Sequence, residues 1–195
     1  MKLRTEVKQR LAVCLTCSLA LIFICITIGG NVWLKGEKSY NGLWKYCYNT
    51  KCISYRKTDQ LLKACQALCI LGCILSLVAV LLSIIELIID RMFLYLISAT
   101  TFISFAFMLS GVAVFTQYAQ DRKFDHLTYG WTYVIAWFGV VLSLLAFILA
   151  LIVERISLLE DERPHGGLTF GWKPVTQESY VIGLHSNRWL RSVNT

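Results

Sequence analysis

The sequence predicts an all-α membrane protein, a left-handed four-helix transmembrane bundle with β-structure in its first loop. Three observations lead there. Four long apolar runs divide the chain, small residues recur along them at helical spacing, and the loop after the first run alternates around two close cysteines. Hydrophobic residues fill 56% of 195 positions and charged residues 16%, a balance at which long apolar stretches read as membrane spans.

The first apolar run covers 11–33, after a basic tail over 1–10. The second covers 61–89, its only charges Lys63 and Glu86. A turn at 90–91, Asp90-Arg91, leads to the third run, 92–119, and the fourth covers 131–153. Each reaches the roughly 20 residues a helix needs to cross about 30 Å of hydrocarbon. The connecting loops are 34–60 and 120–130, and a polar tail occupies 154–195. Lys2, Arg4, Lys8 and Arg10 resemble the basic start of a signal peptide. The apolar run after them is too long and has no small-x-small cleavage site, so it reads as an anchor that stays.

Four spans put both termini on one side. Ten Lys and Arg fall on that side and nine on the other, so the positive-inside rule hardly separates the two orientations. The basic N-tail favours cytoplasmic termini. The cysteine pair favours the same orientation, because a structural disulfide needs an oxidising compartment. The formal charge of +7 is divided by the membrane rather than gathered on one domain, which argues against a nucleic-acid partner and leaves membrane lipid as the surroundings.

Small residues suggest how the helices pack. The second span carries Cys65, Cys69, Gly72, Ser76, Ala79 and Ser83 at alternating steps of four and three. The fourth carries Ala136, Gly139, Ser143, Ala146 and Ala150 in the same rhythm. The first offers Cys14, Ser18, Cys25 and Gly29, and the third Ala99, Ala106, Ser110 and Ala113, each with a gap. Without a hydrophobic drive between helices in lipid, close backbone approach at small residues holds them together. A stripe of period 3.5 is the seam of a left-handed bundle. Seams without strongly polar residues argue against a wide aqueous pore.

The first loop holds Trp33, then Gly42-Leu43-Trp44, then Cys47 and Cys52. Tyr46, Tyr48, Ile53 and Tyr55 alternate with polar residues, which suggests short antiparallel strands. Asn49 and Thr50 suit a turn between the cysteines, which would then staple a hairpin. The tryptophans are expected at the lipid–water boundary, and Gly42 at a backbone turn.

At these residues the chain resembles the superfamily of claudins, peripheral myelin protein, epithelial membrane proteins and lens fibre membrane intrinsic protein. That signature is a Trp, a Gly-Leu-Trp and two cysteines in the first extracellular loop. The run from Gly42 to Cys52 is most similar to the lens fibre protein. Lys63-Ala64-Cys65-Gln66-Ala67 resembles the entry of epithelial membrane proteins to their second span. Tyr129 to Tyr133, with Ala136-Trp137, resembles the family's entry to the fourth. The likeness covers about 11–155. It implies cytoplasmic termini and a small disulfide-stapled extracellular β-sheet closed by Cys47–Cys52. It further implies cell–cell contact, junction sealing or membrane organisation, with cis or trans contacts between copies or related tetraspans at the plasma membrane. Some relatives are instead auxiliary subunits of channels or receptors. Two departures stand out. No Asn-x-Ser/Thr site precedes the terminus, and Val193-Asn194-Thr195 fits poorly with PDZ binding, so a scaffold-anchored claudin is not expected.

Other candidates have plainer readings. Cys65, Cys69 and Cys73 share a face of the second span, but no His or acid joins them, so packing is favoured over a metal. Cys14 and Cys17 are candidates for palmitoylation, with packing the favoured alternative. Glu86 is expected to reach the interface or pair with Arg91, and Lys63 to snorkel. Six Lys and Arg in the first loop face only Glu37 and Asp59, a charge that could draw acidic surfaces or anions in a paracellular gap. In the tail, Phe170-Gly171-Trp172 and Arg188-Trp189-Leu190-Arg191 are candidate lipid or partner contacts, against disorder as the favoured reading. His126, His165 and His185 are scattered, and no catalytic or phosphate-binding motif occurs. The sequence therefore argues against an enzyme and calls for no cofactor or metal.

Overall fold

A computed structural model describes residues 2–49, 51–56, 59–89, 93–121 and 127–161. The readings made for Asp90-Arg91, His126 and the tail beyond 161 lie outside the described residues. Four helices form: α1 Lys2–Gly29, α2 Gln60–Ile89, α3 Leu94–Asp121 and α4 Trp131–Asp161. All are long and apolar enough to cross a membrane. Several of their hydroxyls bond back to the helix. Thr16, Ser18, Thr116 and Ser143 each donate a hydroxyl proton to the carbonyl four residues back, so few donors face hydrocarbon unpaired. The helix bounds differ from those of the apolar runs. α1 starts at Lys2 rather than 11 and stops at Gly29 rather than 33, and α4 continues to Asp161 rather than 153. Hydropathy marks the part that meets lipid, whereas helical hydrogen bonding extends into the charged flanks.

The principal contacts run α1 to α2, α2 to α3, α3 to α4 and α4 back to α1. Two apolar clusters fill the centre. One, at the sheet end, includes Ile24, Trp33, Leu62, Met108, Phe115 and Val140. The other includes Val13, Val80, Ile97, Ala150 and Val153. Ser76, Thr101, Ser104 and Ser143 line a cavity of about 10 Å³ with Cys17, Ala20, Ala79 and Ala146, so all four helices contribute to it. Ser104 Oγ donates to the Gly72 carbonyl at 2.8 Å and ties α3 to α2.

The seams of α2 and α4 carry the small residues named above. Gly72, Ser76, Ala79 and Ser83 are buried, as are Ala136, Gly139, Ser143 and Ala146. The stripes read on α1 and α3 are corrected. On α1 the buried face is Val13, Cys17, Ala20, Ile24 and Thr27, while Cys25 and Gly29 are exposed. On α3 the buried face runs through Ile97, Thr101, Ser104, Met108 and Phe115, while Ala106, Ser110 and Ala113 are exposed. Two small-residue registers compete on such helices, and larger side chains that fill the centre decide between them.

A five-stranded antiparallel sheet caps one end, in the order β4-β3-β2-β1-β5. The strands are β1 Leu34–Lys35, β2 Ser39–Asn41, β3 Lys45–Tyr48, β4 Lys51–Ser54 and β5 Thr128–Tyr129. The sheet is thus not confined to the first loop: β5 comes from the second and pairs with β1. Two residues are too few to show alternation in the sequence. β3 and β4 form a hairpin with Tyr48 opposite Lys51, and Asn49 sits at φ 52°, a left-handed conformation that Asn tolerates better than most residues.

Candidate functional site

The sheet end is built around Trp33, which is fully buried. Its ring packs on Phe115 of α3, centroids 4.5 Å apart, and on Tyr133 of α4 at 6.2 Å. Its indole N–H donates to the Thr27 carbonyl at 3.2 Å. The Trp44 indole N–H donates to the next carbonyl, Ile28, at 2.8 Å, and the Gly30 N–H to Ile26 at 2.9 Å. The last carbonyls of a helix have no partner of their own. Three consecutive ones at the end of α1 are therefore satisfied, Ile26 by the helix's own next turn and Thr27 and Ile28 by the two indoles. The expectation of tryptophans resting at the lipid–water boundary is corrected for Trp33. It lies in the core, because its ring is the common packing partner of α3 and α4 and its one polar atom is satisfied there.

The main chain continues the clamp. Trp33 N–H donates to the Asn41 carbonyl at 2.8 Å, and the Trp33 carbonyl accepts from Gly130 N–H at 2.8 Å. Thr132 N–H reaches the Val32 carbonyl at 3.2 Å, so the start of α4 hangs on the same segment. Leu43 is fully buried, and its carbonyl accepts from Gln66 Nε2 of α2 at 2.6 Å. Tyr55 donates its hydroxyl to the Gly42 carbonyl at 3.2 Å. Burial, then the neighbouring Tyr118 and Tyr46, pushes the Tyr55 hydroxyl above its ordinary range. Gly42 is needed for close approach rather than for a turn: its φ is not positive, but an added Cβ would lie 2.7 Å from Asn31 Cα.

Cys47 and Cys52 face each other across β3 and β4, joined as a disulfide with Cα atoms 4.0 Å apart. The register aligns Tyr129, Leu34, Asn41, Tyr46 and Ile53 on one face of the sheet. Leu34 and Asn41 are buried on the bundle, whereas Tyr46, Tyr48 and Ile53 are exposed, Ile53 by 65%. The face that seats the sheet is therefore open where β3 and β4 overhang. Lys45, Lys51 and Arg56 are exposed around the same hairpin.

At the opposite end Glu86 is 1% exposed. Its Oε2 accepts from the Phe93 N–H at 2.8 Å, just before α3, and its Oε1 lies 3.6 Å from Arg10 Nη1 of α1. The expected position at the interface is thus corrected: α1 and α3 enclose the carboxylate, so it pairs with Arg10 and caps α3. Lys63 is exposed. Cys17 is buried against Ser83, its Sγ 3.8 Å from the Ser83 Oγ, and Cys14 is half-buried. No group of three or more His, Cys, Asp or Glu is placed to hold a metal among the described residues.

Sequence reasoning gave no role to Phe115 or Gln66. Gln66 is a polar residue inside an apolar run, a signal that it meets something other than lipid. Phe115 carried no signal, since one aromatic in an apolar run looks like any other.

Four helices able to span a membrane, under a disulfide-bearing sheet clamped by two tryptophans, define a tetraspan membrane protein. Residues 8–150 match the model of the PMP-22/EMP/MP20/Claudin family, and the chain belongs to that family. It is 29% identical to epithelial membrane protein 1 of Homo sapiens over 144 residues, covering 69% of this chain and 90% of that protein. The Oryctolagus cuniculus form is 28% identical over 147 residues, covering 69% and 89%. The lens fiber membrane intrinsic protein of Homo sapiens is 23% identical over 149 residues, covering 69% and 85%. Identity over the whole match is therefore higher to epithelial membrane protein 1 than to the lens protein, whose likeness was read in the first loop.

Proposed function

We propose that this chain is a structural protein of the plasma membrane, with cytoplasmic termini. It makes cell–cell or membrane-organising contacts through the β3–β4 hairpin. The observation that carries this reading is the overhang. Tyr46, Tyr48 and Ile53 are exposed on a sheet whose flanking residues Trp33, Leu43 and Trp44 are held by the helices. A rigid, partly apolar surface loses little conformational entropy on binding, and the exposed lysines around it favour an acidic counter-surface. The test mixes cells that express the tagged chain with cells that do not. Enrichment at borders between two expressing cells supports contact in trans, and a uniform surface signal contradicts it.

An auxiliary role beside a channel or receptor is the second reading. It is favoured by the outward stripe of Ala106, Ser110 and Ala113 on α3, a face on which another membrane helix can approach closely. Recovery of a stoichiometric channel partner from native membrane supports it. Recovery of the chain alone contradicts it.

A further inference from the structure

Six cysteines are free, and Cys25 alone among them is exposed. It lies on α1 inside the apolar run, one turn before Gly29, so its exposed surface meets lipid. Its Sγ is 3.9 Å from the Sγ of Cys73 on α2, and Cys73 is half-buried at the helix contact. The remaining thiols are placed differently. Cys65 and Cys69 are fully buried, and Cys17 sits against Ser83. A disulfide needs sulfurs at about 2.05 Å, so bond formation asks the Cys25 and Cys73 sulfurs to approach from 3.9 Å across the packed contact of α1 and α2.

We propose that Cys25 and Cys73 form an oxidisable dithiol that a lipid-soluble hydroperoxide converts into a second disulfide, linking α1 to α2 within the membrane. The steps balance. Cys25 sulfur attacks an oxygen of the hydroperoxide and the O–O bond breaks. The departing alkoxide takes the thiol proton as an alcohol, and Cys25 is left as a sulfenic acid. Cys73 sulfur then attacks the Cys25 sulfur, the S–O bond breaks, and hydroxide leaves with the Cys73 proton as water. Two thiols lose two electrons and one hydroperoxide gains them. Cys25 is the attacking residue because it is the more exposed of the two, and Cys73 resolves because its sulfur lies within 3.9 Å. The link would fasten α1 to α2 close to the end of α1 that the two tryptophans hold.

The test uses the full chain, reduced at its free thiols and reconstituted in lipid vesicles. One sample receives cumene hydroperoxide, which enters lipid, and another the same concentration of hydrogen peroxide in water. Free thiols are then alkylated, and the protein is digested without reduction for mass spectrometry. The Cys47–Cys52 link in every sample reports an intact sheet. The expected result is a peptide pair joined through Cys25 and Cys73, formed faster with cumene hydroperoxide, cleaved by dithiothreitol and absent in C25S. Alkylated Cys25 and Cys73 in both samples would overturn the dithiol. Linkage no faster from the lipid side than from water would overturn the lipid-borne oxidant. These readings come from the wild-type chain and stand even if C25S folds poorly.

Discussion

The indole N–H of Trp44 lies 2.8 Å from the carbonyl oxygen of Ile28 and closes the end of α1 from a residue sixteen positions later. With Trp33 on Thr27, it makes the first loop the C-cap of the first helix. Trp44→Phe keeps the ring and removes the donor, which leaves the Ile28 carbonyl unpaired. The expected loss is about 1–3 kcal/mol. Trp33→Ala also removes the packing on Phe115 and Tyr133 and is expected to lose about 3–5 kcal/mol. Unfolding in detergent checks both, and equal, negligible losses would refute the cap.

Cys47→Ser or Cys52→Ser opens a loop with a sequence separation of 5. Chain entropy for so short a ring gives a loss of about 2 kcal/mol. The hairpin should fray before the bundle does, with faster amide exchange in β3 and β4 and fewer molecules reaching the cell surface. Unchanged exchange in both variants would show that pairing with β2 holds the hairpin unaided.

Glu86→Ala strips the charge partner of Arg10 and the acceptor of the Phe93 N–H. Breaking a buried pair costs about 3–5 kcal/mol. Glu86→Gln should lose less, because an amide oxygen still accepts from Phe93. Thermal unfolding that ranks the glutamine variant below the alanine variant would contradict this.

Gly42→Ala and Gly130→Ala each put a Cβ onto backbone atoms, of Asn31 in one case and Val32 in the other. Neither neighbour is a flexible side chain that can move aside, so overpacking of about 1–3 kcal/mol or more is expected. Size-exclusion profiles of the purified variants check the result: both should lose monodispersity, and a wild-type profile for either would refute the close approach.

Tyr55 stays protonated in the fold at a pH where an unfolded tyrosine, with a pKa of about 10, ionises. Its hydroxyl pKa is raised in the folded chain, so its contribution is present below pH of about 10 and declines above it. Tyr55→Phe should flatten the stability profile on that alkaline side. A slope unchanged by the substitution would assign it to other groups.

Much of this architecture was legible because hydrocarbon is an undiscriminating solvent: any chain that crosses it shows apolar runs, and four were plain. Cys47 and Cys52 with Asn49 between them signalled a hairpin for local reasons. The second and fourth seams were legible because their small residues coincide with the buried face. The first and third were not, since Cys17 and Thr101, one register away from the stripes, carry the packing. Trp33 misled because an amphipathic ring at the end of an apolar run suits both an interface and a core. Only Phe115 and Tyr133, distant in sequence, decide between them. β5 and the Glu86–Arg10 pair were hidden for the same reason, as each exists only through a partner far along the chain.

If the overhanging hairpin makes the contact, the decisive measurement is border enrichment of Ile53→Asp beside wild type, at matched surface levels. Ile53 is exposed and stabilises no core, so the variant should fold and reach the surface. Its enrichment between two expressing cells is expected to fall to the level seen between an expressing and a non-expressing cell. Enrichment equal to wild type would contradict it.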